Sequence, residues 1–356
     1  MRAQGDAPQH EHPLSVPMKP PAKLRDVARQ AGVSSATVSR ALSAPERLRP
    51  ATLARVQEAV RASGYVLDGA ARALRSRKTR SVGAIVPTLN NAIFADTTHA
   101  LQKTLEASGY ALLLACYEYD LDTEVKVARH LIERGVDGLV LVGLDHRDEL
   151  MQMIATAGIP YVVTWAIDRS GRHPCVGFHN RAAAMRIADY LVDIGHRRFA
   201  MIAGETAQND RARRRVEGVR AALAARGLSL PDDRLVERPY SFAAGRDALR
   251  ELMACDPRPT AVICGNDVLA IGALDECRAS GIAVPDDVSI TGFDDLEIAT
   301  MVNPALTTIH VPTREIGEIV ADNILRRVSG RDAPQASELS ADLVVRSSTA
   351  PPGAHR

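Results

Sequence analysis

Residues 24 to 42 read Leu-Arg-Asp-Val-Ala-Arg-Gln-Ala-Gly-Val-Ser-Ser-Ala-Thr-Val-Ser-Arg-Ala-Leu. Apolar residues recur at helical spacing on both sides of Ala31-Gly32-Val33-Ser34, which interrupts the period. Two helices joined by a short turn that contains glycine are typical of a helix-turn-helix, whose second helix enters the major groove of DNA. A third helix is predicted between Pro50, suited to a first turn, and Gly64, suited to a helix end. Residues 23–66 are therefore predicted to form a three-helix DNA-binding domain.

The start of the predicted second helix is small and polar, which lets its backbone approach a DNA groove. The Ser34 hydroxyl can cap this helix, and the free N–H groups of a helix N-terminus suit a phosphate. Arg40 is long enough to reach a guanine edge. Spacing alone leaves a second interpretation open, namely a solvated three-helix bundle with no DNA partner.

The net charge of +1 conceals an uneven distribution. Residues 1–80 carry 15 Lys and Arg against 6 Asp and Glu, or +9, and the remainder carries 29 against 37, or −8. This asymmetry is expected of a nucleic-acid-binding module joined to another domain. Residues 1–22 are rich in Pro, Gln and His, which predicts a disordered leader.

From Ser81 onward, short β-rich runs alternate with segments of helical period. The predicted strands are 82–87, 111–116, 138–142, 161–165, 199–203, 261–264 and 288–293, and the predicted helices are 94–108, 125–134, 182–194, 216–226 and 269–280. Repeated βα units predict parallel, doubly wound sheets, and hence an α/β fold class. About 270 residues exceed one such sheet, so two lobes with a cleft between them are expected over residues 81–350, followed by a loose tail at 351–356.

Several classes of protein are excluded. No apolar run approaches a membrane-spanning length and the first residues contain no apolar signal segment, which predicts a cytoplasmic protein. Five cysteines without a CxxC pair indicate buried free thiols rather than disulfides or zinc. No Walker A, GxSxG, GxGxxG or HExxH motif is present, so no enzyme, cofactor or metal site is predicted. Asp120-x-Asp122-x-Glu124 lacks the glycine of a calcium loop and is interpreted as a helix start.

Ligands of open α/β sheets bind beyond the carboxyl ends of the strands. The residues that follow the predicted strands are mostly polar or aromatic: Asn90, Asn91, Ile93, Phe94, Trp165, Asp168, Arg211, Arg213, Arg215, Asn266, Asp267, Asp294 and Asp295. Amides, carboxylates, arginines and an aromatic face suit a polyol or a sugar acid. Structural alternatives stay open: Trp165 in the core, Asn266 as a helix cap, Asp294 in a turn, and the arginines as solvated surface.

The segment from Asp26 to Arg40, D-V-A-x-x-A-G-V-S-x-x-T-V-S-R, resembles the DNA-binding segment of the lactose- and galactose-repressor family of bacterial transcription regulators. The resemblance implies operator DNA as the partner. It places Ser35, Ala36 and Arg40 at base-reading positions and Ser34, Thr37 and Ser39 at phosphate-facing positions.

Residues 67–80 fall where this family has its hinge helix. The resemblance implies that Leu74 and Ala71 enter the DNA minor groove, where an apolar wedge unstacks a base step and permits a bend. Leu67-Asp68 stands where the family usually has Pro-Asn, so a flexible basic linker is the alternative.

The body, with motifs such as Asn91-Ala-Ile-Phe94 and Gly292-Phe-Asp-Asp295, resembles the family's ligand-binding core, which looks like the periplasmic sugar-binding proteins. The effector positions that this resemblance and the strand ends suggest are Asn91, Ile93, Trp165, His179, Arg213, Arg215, Asn266 and Asp294. Glu118–Asp122 and Val176–Asn180 look more like the gluconate-repressor branch, in which His179, Arg213 and Arg215 would suit a carboxylate.

The sequence thus predicts a homodimeric, possibly tetrameric, nucleoid-associated repressor of sugar or sugar-acid catabolism that responds to a small effector. One alternative is a cytoplasmic sugar-binding protein without regulation, which the basic N-terminal module disfavours. A regulator of a nucleoside or purine pathway is a second. A sugar kinase fused to a helix-turn-helix is a third, but the chain shows no phosphate-binding glycine-rich loop.

Overall fold

The computed structural model describes residues 22–65 and 78–353. The chain divides into two compact units, with the division after Arg77. Ala71 and Leu74 of the predicted hinge, almost all of the predicted leader and the last three residues of the predicted tail lie outside the described residues. The domain boundaries set out above stay predictions.

Residues 22–65 of the N-terminal unit form three α-helices: α1 (Leu24–Ala31), α2 (Ser35–Ser43) and α3 (Pro50–Ser63). Gly32 ends α1 with a φ of 65°, a conformation that costs glycine little. Ser34 caps α2, and its Oγ accepts a hydrogen bond from the Thr37 N–H at 3.1 Å. The predicted helix-turn-helix and its serine cap are therefore present.

The remaining chain alternates strands and helices, as its periodicity predicts. The strands are β1 (Ser81–Val86), β2 (Ala111–Cys116), β3 (Gly138–Val142), β4 (Tyr161–Thr164), β5 (Cys175–Gly177), β6 (Phe199–Gly204), β7 (Leu235–Arg238), β8 (Ala261–Cys264), β9 (Ser289–Thr291), β10 (Thr308–His310), β11 (Ala336–Glu338) and β12 (Asp342–Val344). The helices are α4 (Ala92–Ala107), α5 (Leu121–Glu133), α6 (Asp148–Ala157), α7 (Asn180–Asp193), α8 (Asp210–Ala225), α9 (Phe242–Met253), α10 (Asp267–Ser280), α11 (Ile298–Met301) and α12 (Thr313–Val328).

The strands form two parallel sheets, which confirms the two-lobed, doubly wound prediction. The N-terminal lobe has the order β11-β5-β4-β3-β1-β2, and the C-terminal lobe has the order β7-β6-β8-β9. β10 and β12 form a separate antiparallel pair. Because β11 returns to the first sheet after the second is complete, the chain passes between the lobes more than once.

Elements that the sequence did not predict include the short strands β5 and β7 and the helices α6, α9 and α12. β5 has three residues, too few for a period to be seen. α12 packs against α4 on the first sheet although it follows the second lobe in sequence. Within residues 22–65 and 78–353, no helix is long and apolar enough to cross a membrane.

Candidate functional site

The second helix of the N-terminal unit is amphipathic. Val38 and Ala41 are buried against Val27 and Val56 in the small core of this unit. The predicted DNA-contacting residues lie away from that core: Ser34, Ser35, Ala36 and Arg40 are exposed, and Thr37 and Ser39 are half-buried. α2 therefore offers an accessible face that starts at a capped helix N-terminus and carries an arginine one turn beyond Ala36.

In residues 78–353, backbone strain concentrates at the ends of strands. Glu118 and Tyr119 after β2, Trp165 after β4, and Asp294 and Asp295 after β9 all have a positive φ, between 48° and 121°. In the described chain, Arg80 is the one other non-glycine residue of this kind. Such conformations cost roughly 1–3 kcal/mol each and cluster at ligand sites. The strain thus marks the carboxyl ends of the strands in both lobes.

Among the residues predicted from sequence to contact an effector, three buried side chains have polar atoms without a hydrogen-bond partner in the described chain. They are both carboxylate oxygens of Asp294, Nδ2 of Asn266 and Oδ1 of Asn91. Asp294 is 2% exposed, Asn266 1% and Asn91 4%. A buried polar group without a partner costs about 1–3 kcal/mol, so these unpaired atoms are suited to a polar ligand.

The Asn266 side chain can act both as a helix cap and as an effector contact, the two interpretations that the sequence left open. Its Oδ1 caps α10 by accepting a hydrogen bond from the Leu269 N–H at 2.9 Å. Its Nδ2 makes no such bond and stays available as a donor. The cap fixes the direction of the amide, because a side chain held at one atom cannot rotate freely at the other.

Arg215 lies on α8, and two of its nitrogens donate hydrogen bonds within the protein. Nε donates to Asn180 Oδ1 at 2.9 Å, and Nη1 donates to the Gly265 carbonyl at 2.6 Å. The guanidinium carbon lies 3.7 Å from the centroid of the Phe293 ring. Nη2 is 3.9 Å from Asp294 Oδ1, too far for a hydrogen bond but close enough for charge attraction. The arginine is thus fixed beside the unpaired carboxylate.

Burial raises the pKa of Asp294 well above its ordinary value, and the Arg215 charge only partly opposes this effect. A ligand that donates hydrogen bonds to the carboxylate would favour its ionised form. The protonation state of the buried Asp294 carboxyl group therefore depends on whether a hydrogen-bond-donating ligand lies beside it.

A cavity of about 250 Å³ opens beside Asn91 and is also lined by Tyr119, Tyr240 and Asn209. The two tyrosine rings are 5.8 Å apart. Burial raises the pKa of Tyr119 well above its ordinary value. The neighbouring Tyr240 and, by a smaller amount, Asp294 also raise this pKa. The cavity thus adjoins the unpaired oxygen of Asn91 and lies between strand ends of the two lobes, where ligands of open α/β sheets bind.

Two predicted effector residues have protein partners instead. Arg213 pairs through Nη2 with both oxygens of Asp145, at 2.8 and 2.9 Å. His179 lies 3.2 Å from Glu338 and accepts a hydrogen bond from Arg169 at 3.1 Å. Both side chains are thus engaged with other protein groups, and their effector roles stay predictions.

Trp165 and Ile93 are both buried. The indole contacts Phe94 and Phe178 edge-on, with centroids 5.3 and 6.2 Å away. The ring is therefore part of the aromatic core at the end of β4, which is the alternative that the sequence left open. Stacking of this ring on an effector stays a prediction.

Several residues of this region were not singled out from the sequence. Asn180 donates from Nδ2 to the Trp165 carbonyl at 2.9 Å and accepts from Arg215, so it joins the strand end of one lobe to α8. It follows β5, and Tyr240 follows β7, neither of which was predicted. Tyr119 follows a predicted strand, and inspection of that strand end could have found it.

Asp267, beside Asn266, has a structural role. Its carboxylate accepts hydrogen bonds from the Thr308 hydroxyl at 2.6 Å and from the Leu296 N–H at 2.7 Å. Burial raises its pKa to about 6, and these hydrogen bonds oppose the shift. It joins the start of α10 to β10, where the chain leaves the second lobe.

Comparison with known proteins agrees with this architecture. Residues 23–68 match the bacterial regulatory proteins of the lacI family, and residues 188–349 match a periplasmic binding protein-like domain. The chain is 34% identical over 328 residues to the HTH-type transcriptional regulator GntR of Pseudomonas aeruginosa, covering 92% of this chain and 95% of that protein. It is 32% identical over 311 residues to the ribose operon repressor of Escherichia coli, covering 86% and 93%.

Among solved structures, a lac repressor dimer bound to operator and an anti-inducer is similar with a TM-score of 0.82 and 25% identity, covering 93% of this chain and 99% of that chain. These relatives are DNA-binding regulators and not enzymes, which confirms the function predicted from the N-terminal motif. The chain belongs to the lacI family of bacterial regulatory proteins.

Proposed function

We propose that this regulator represses genes of sugar or sugar-acid catabolism and that a polyhydroxylated effector in the interlobe cleft tunes its hold on operator DNA. The unpaired atoms of Asn91, Asn266 and Asp294 carry this proposal, because amide and carboxylate groups exchange hydrogen bonds with hydroxyls. Similarity to the ribose operon repressor and to the regulator GntR supports a role related to sugars. An effector shifts the equilibrium between two conformations of such a protein only if it binds them with different affinities.

The proposed DNA-contacting set is the exposed face of α2, with Ser35, Ala36 and Arg40 directed at bases and Ser34, Thr37 and Ser39 at phosphates. A helix-turn-helix protein commonly reads two half-sites as a dimer. We therefore include a homodimer, or a tetramer built from it, in the proposal. Ala71 and Leu74 complete the proposed set from outside the described residues.

Arg40→Ala is expected to weaken binding to a selected operator by about 1–3 kcal/mol and to change binding to random DNA little, because the lost contact reads a base edge. Operator sequences can be selected from a random library with the full chain, and affinities compared by fluorescence anisotropy over a range of salt.

Arg29→Ala is the matched control for Arg40→Ala. Arg29 is an exposed arginine on α1, paired with Asp26 at 3.1 Å, so the substitution removes the same charge from a neighbouring helix. Equal losses on operator and random DNA for Arg40→Ala would show that Arg40 contacts phosphate only. Failure to select any DNA sequence would contradict the DNA-binding proposal as a whole.

A further inference from the structure

We propose that residues 142–147, which end β3 and lead into α6, form a latch that joins the two lobes, and that the buried side chains of Glu124 and His146 position this latch. An effector that shifts the lobes must work against the contacts that join them, so the latch sets the balance on which the effector acts. This inference goes beyond the proposed function, because it names those contacts and does not depend on the identity of the effector.

The latch accepts hydrogen bonds from α8 at two points. Arg211 Nη1 donates to the Val142 carbonyl at 3.1 Å. Arg213 Nη2 donates to both carboxylate oxygens of Asp145, at 2.8 and 2.9 Å. β3 belongs to the sheet of the N-terminal lobe, whereas α8 packs against β6 and α7 of the C-terminal lobe. Hydrogen bonds with an ionised partner are the stronger kind, so these contacts favour the arrangement in which α8 lies against the latch.

The backbone of the latch touches α8 at Gly143. This residue has a φ of 88°, and a Cβ atom here would overlap with the side chains of Asp210 and Arg211. Those two side chains are buried and form an ion pair at 2.9 Å. The latch can therefore make its contacts with α8 only while its backbone keeps this shape, which glycine adopts at little cost.

Glu124 and His146 hold the latch from the side of the N-terminal lobe. Glu124 lies in the first turn of α5, and both side chains are at most 1% exposed. Nδ1 of His146 lies 3.0 Å from Glu124 Oε2, and Nε2 lies 2.9 Å from the Gly143 carbonyl oxygen. The ring thus connects α5 to the backbone of the residue that touches α8, so the direction of the Gly143 carbonyl depends on this pair.

The pair is better suited to fixing a direction than to adding stability. Apolar residues of similar volume often stabilise a core as well as a buried ion pair does, because they carry no cost of charge desolvation. Hydrogen bonds at both ring nitrogens, in contrast, fix the orientation of the ring and of the groups that it contacts. Neither side chain lines the cavity beside Asn91. Glu124 and His146 are therefore positioning residues that act on the lobes through the latch.

The test measures the distance between the lobes by pulsed electron paramagnetic resonance on the full chain without ligand. Spin labels are attached at Lys126→Cys on α5 and at Ala224→Cys on α8, two exposed positions. Cys116→Ser and Cys255→Ser remove the partly exposed native thiols, and the other three cysteines are buried. Labelled chains are diluted with unlabelled chains, so that distances within one chain dominate.

The variant Glu124→Met/His146→Phe keeps the approximate volume of the pair and removes its hydrogen bonds. We expect it, like Asp145→Ala, to raise the fraction of chains with a longer interlobe distance by at least about fivefold. Glu124→Gln keeps an oxygen that can accept a hydrogen bond from His146, so this conservative variant should give the wild-type distances.

Each variant tests one part of the proposal. Wild-type distances in Asp145→Ala would overturn the latch, and wild-type distances in the apolar pair would overturn the positioning role. If the apolar pair fails to fold, Glu124→Leu, which leaves the His146 ring in place, enters the same comparison with the same expected result.

Combining the variants tests whether the pair acts through the latch. With Asp145→Ala added to the apolar pair, the fraction should rise by clearly less than the product of the two separate fold-changes, because both remove the same contact. Fold-changes that multiply would contradict the positioning role.

Asp122→Asn is the matched control. Asp122 pairs with Arg147 at 2.9 Å and joins the same helix to the latch, but both side chains are at least half exposed. Exposed pairs contribute little, so this variant should leave the distances unchanged. An effect as large as that of the apolar pair would show that any contact between α5 and the latch suffices, and it would overturn the specific role of Glu124 and His146.

Discussion

Arg215→Ala is expected to abolish the effector response at ordinary effector concentrations and to leave operator affinity unchanged. Arg215 is the cation beside the buried Asp294 carboxylate, and it also fixes Asn180. Truncating one partner of a buried charge pair costs roughly 2–5 kcal/mol, which lowers effector affinity by about thirtyfold to several thousandfold. Titration calorimetry and operator shifts on the same preparation measure the two properties separately.

Two further variants separate binding from folding. Arg214→Ala removes the neighbouring arginine, which is half exposed and paired with Glu217, and should keep the response. Asp294→Asn keeps the shape of the side chain and should weaken effector binding without lowering the melting temperature, because it removes a buried carboxyl group whose ionisation is costly. If Arg215→Ala loses operator binding together with effector binding, its role is structural and the binding assignment is wrong.

Effector affinity is expected to rise with pH, by up to tenfold per pH unit, until Asp294 is ionised in the effector-free protein. Burial raises the pKa of Asp294, so the folded protein without effector retains a proton that the unfolded chain loses. Its ionisation therefore lowers stability as pH rises between the ordinary and the raised value. A neutral ligand that donates hydroxyl protons to the carboxylate stabilises the ionised form, which gives the positive slope.

Other groups face Asp294 and need controls. Arg215 and Asp267 act on its charge, and Tyr119 and Tyr240 lie close enough for Asp294 to affect their own pKa values. Asp267 has a pKa of about 6, so Asp267→Asn identifies its share of any slope. Asp294→Asn should flatten the profile, measured by calorimetry in buffers of different ionisation enthalpy. Affinity that falls with rising pH would indicate an anionic ligand.

The three helices of residues 22–65 were predicted from sequence, because their signals are local. The turn at Gly32, the Ser34 cap and the periodic apolar residues each depend on neighbours a few positions away. The strand runs of the core were also found, since buried parallel strands are continuous apolar segments. These patterns sufficed for the fold class, and they led to the sheet edges where we propose the effector site.

The pairing of side chains within the site could not be predicted in the same way. The sequence placed Arg213 and Arg215 two positions apart at the start of one helix, but the partner of each side chain is a residue distant in sequence. Arg213 meets Asp145 from the loop after β3, and Arg215 meets Asn180 at the start of α7. Which arginine remains near the unpaired carboxylate is thus decided by tertiary structure, and no local pattern encodes it.

The central claim is that a ligand in the cleft changes the affinity for operator DNA. The most direct measurement is operator affinity with and without saturating effector, in wild type and in Asp294→Asn. Coupling in allosteric proteins is typically about 1–3 kcal/mol, so a change of roughly 5- to 150-fold in operator affinity is expected for wild type. The variant should show operator affinity like that of effector-free wild type at the same effector concentration. An effector that binds wild type in the cleft without changing operator affinity would contradict the account.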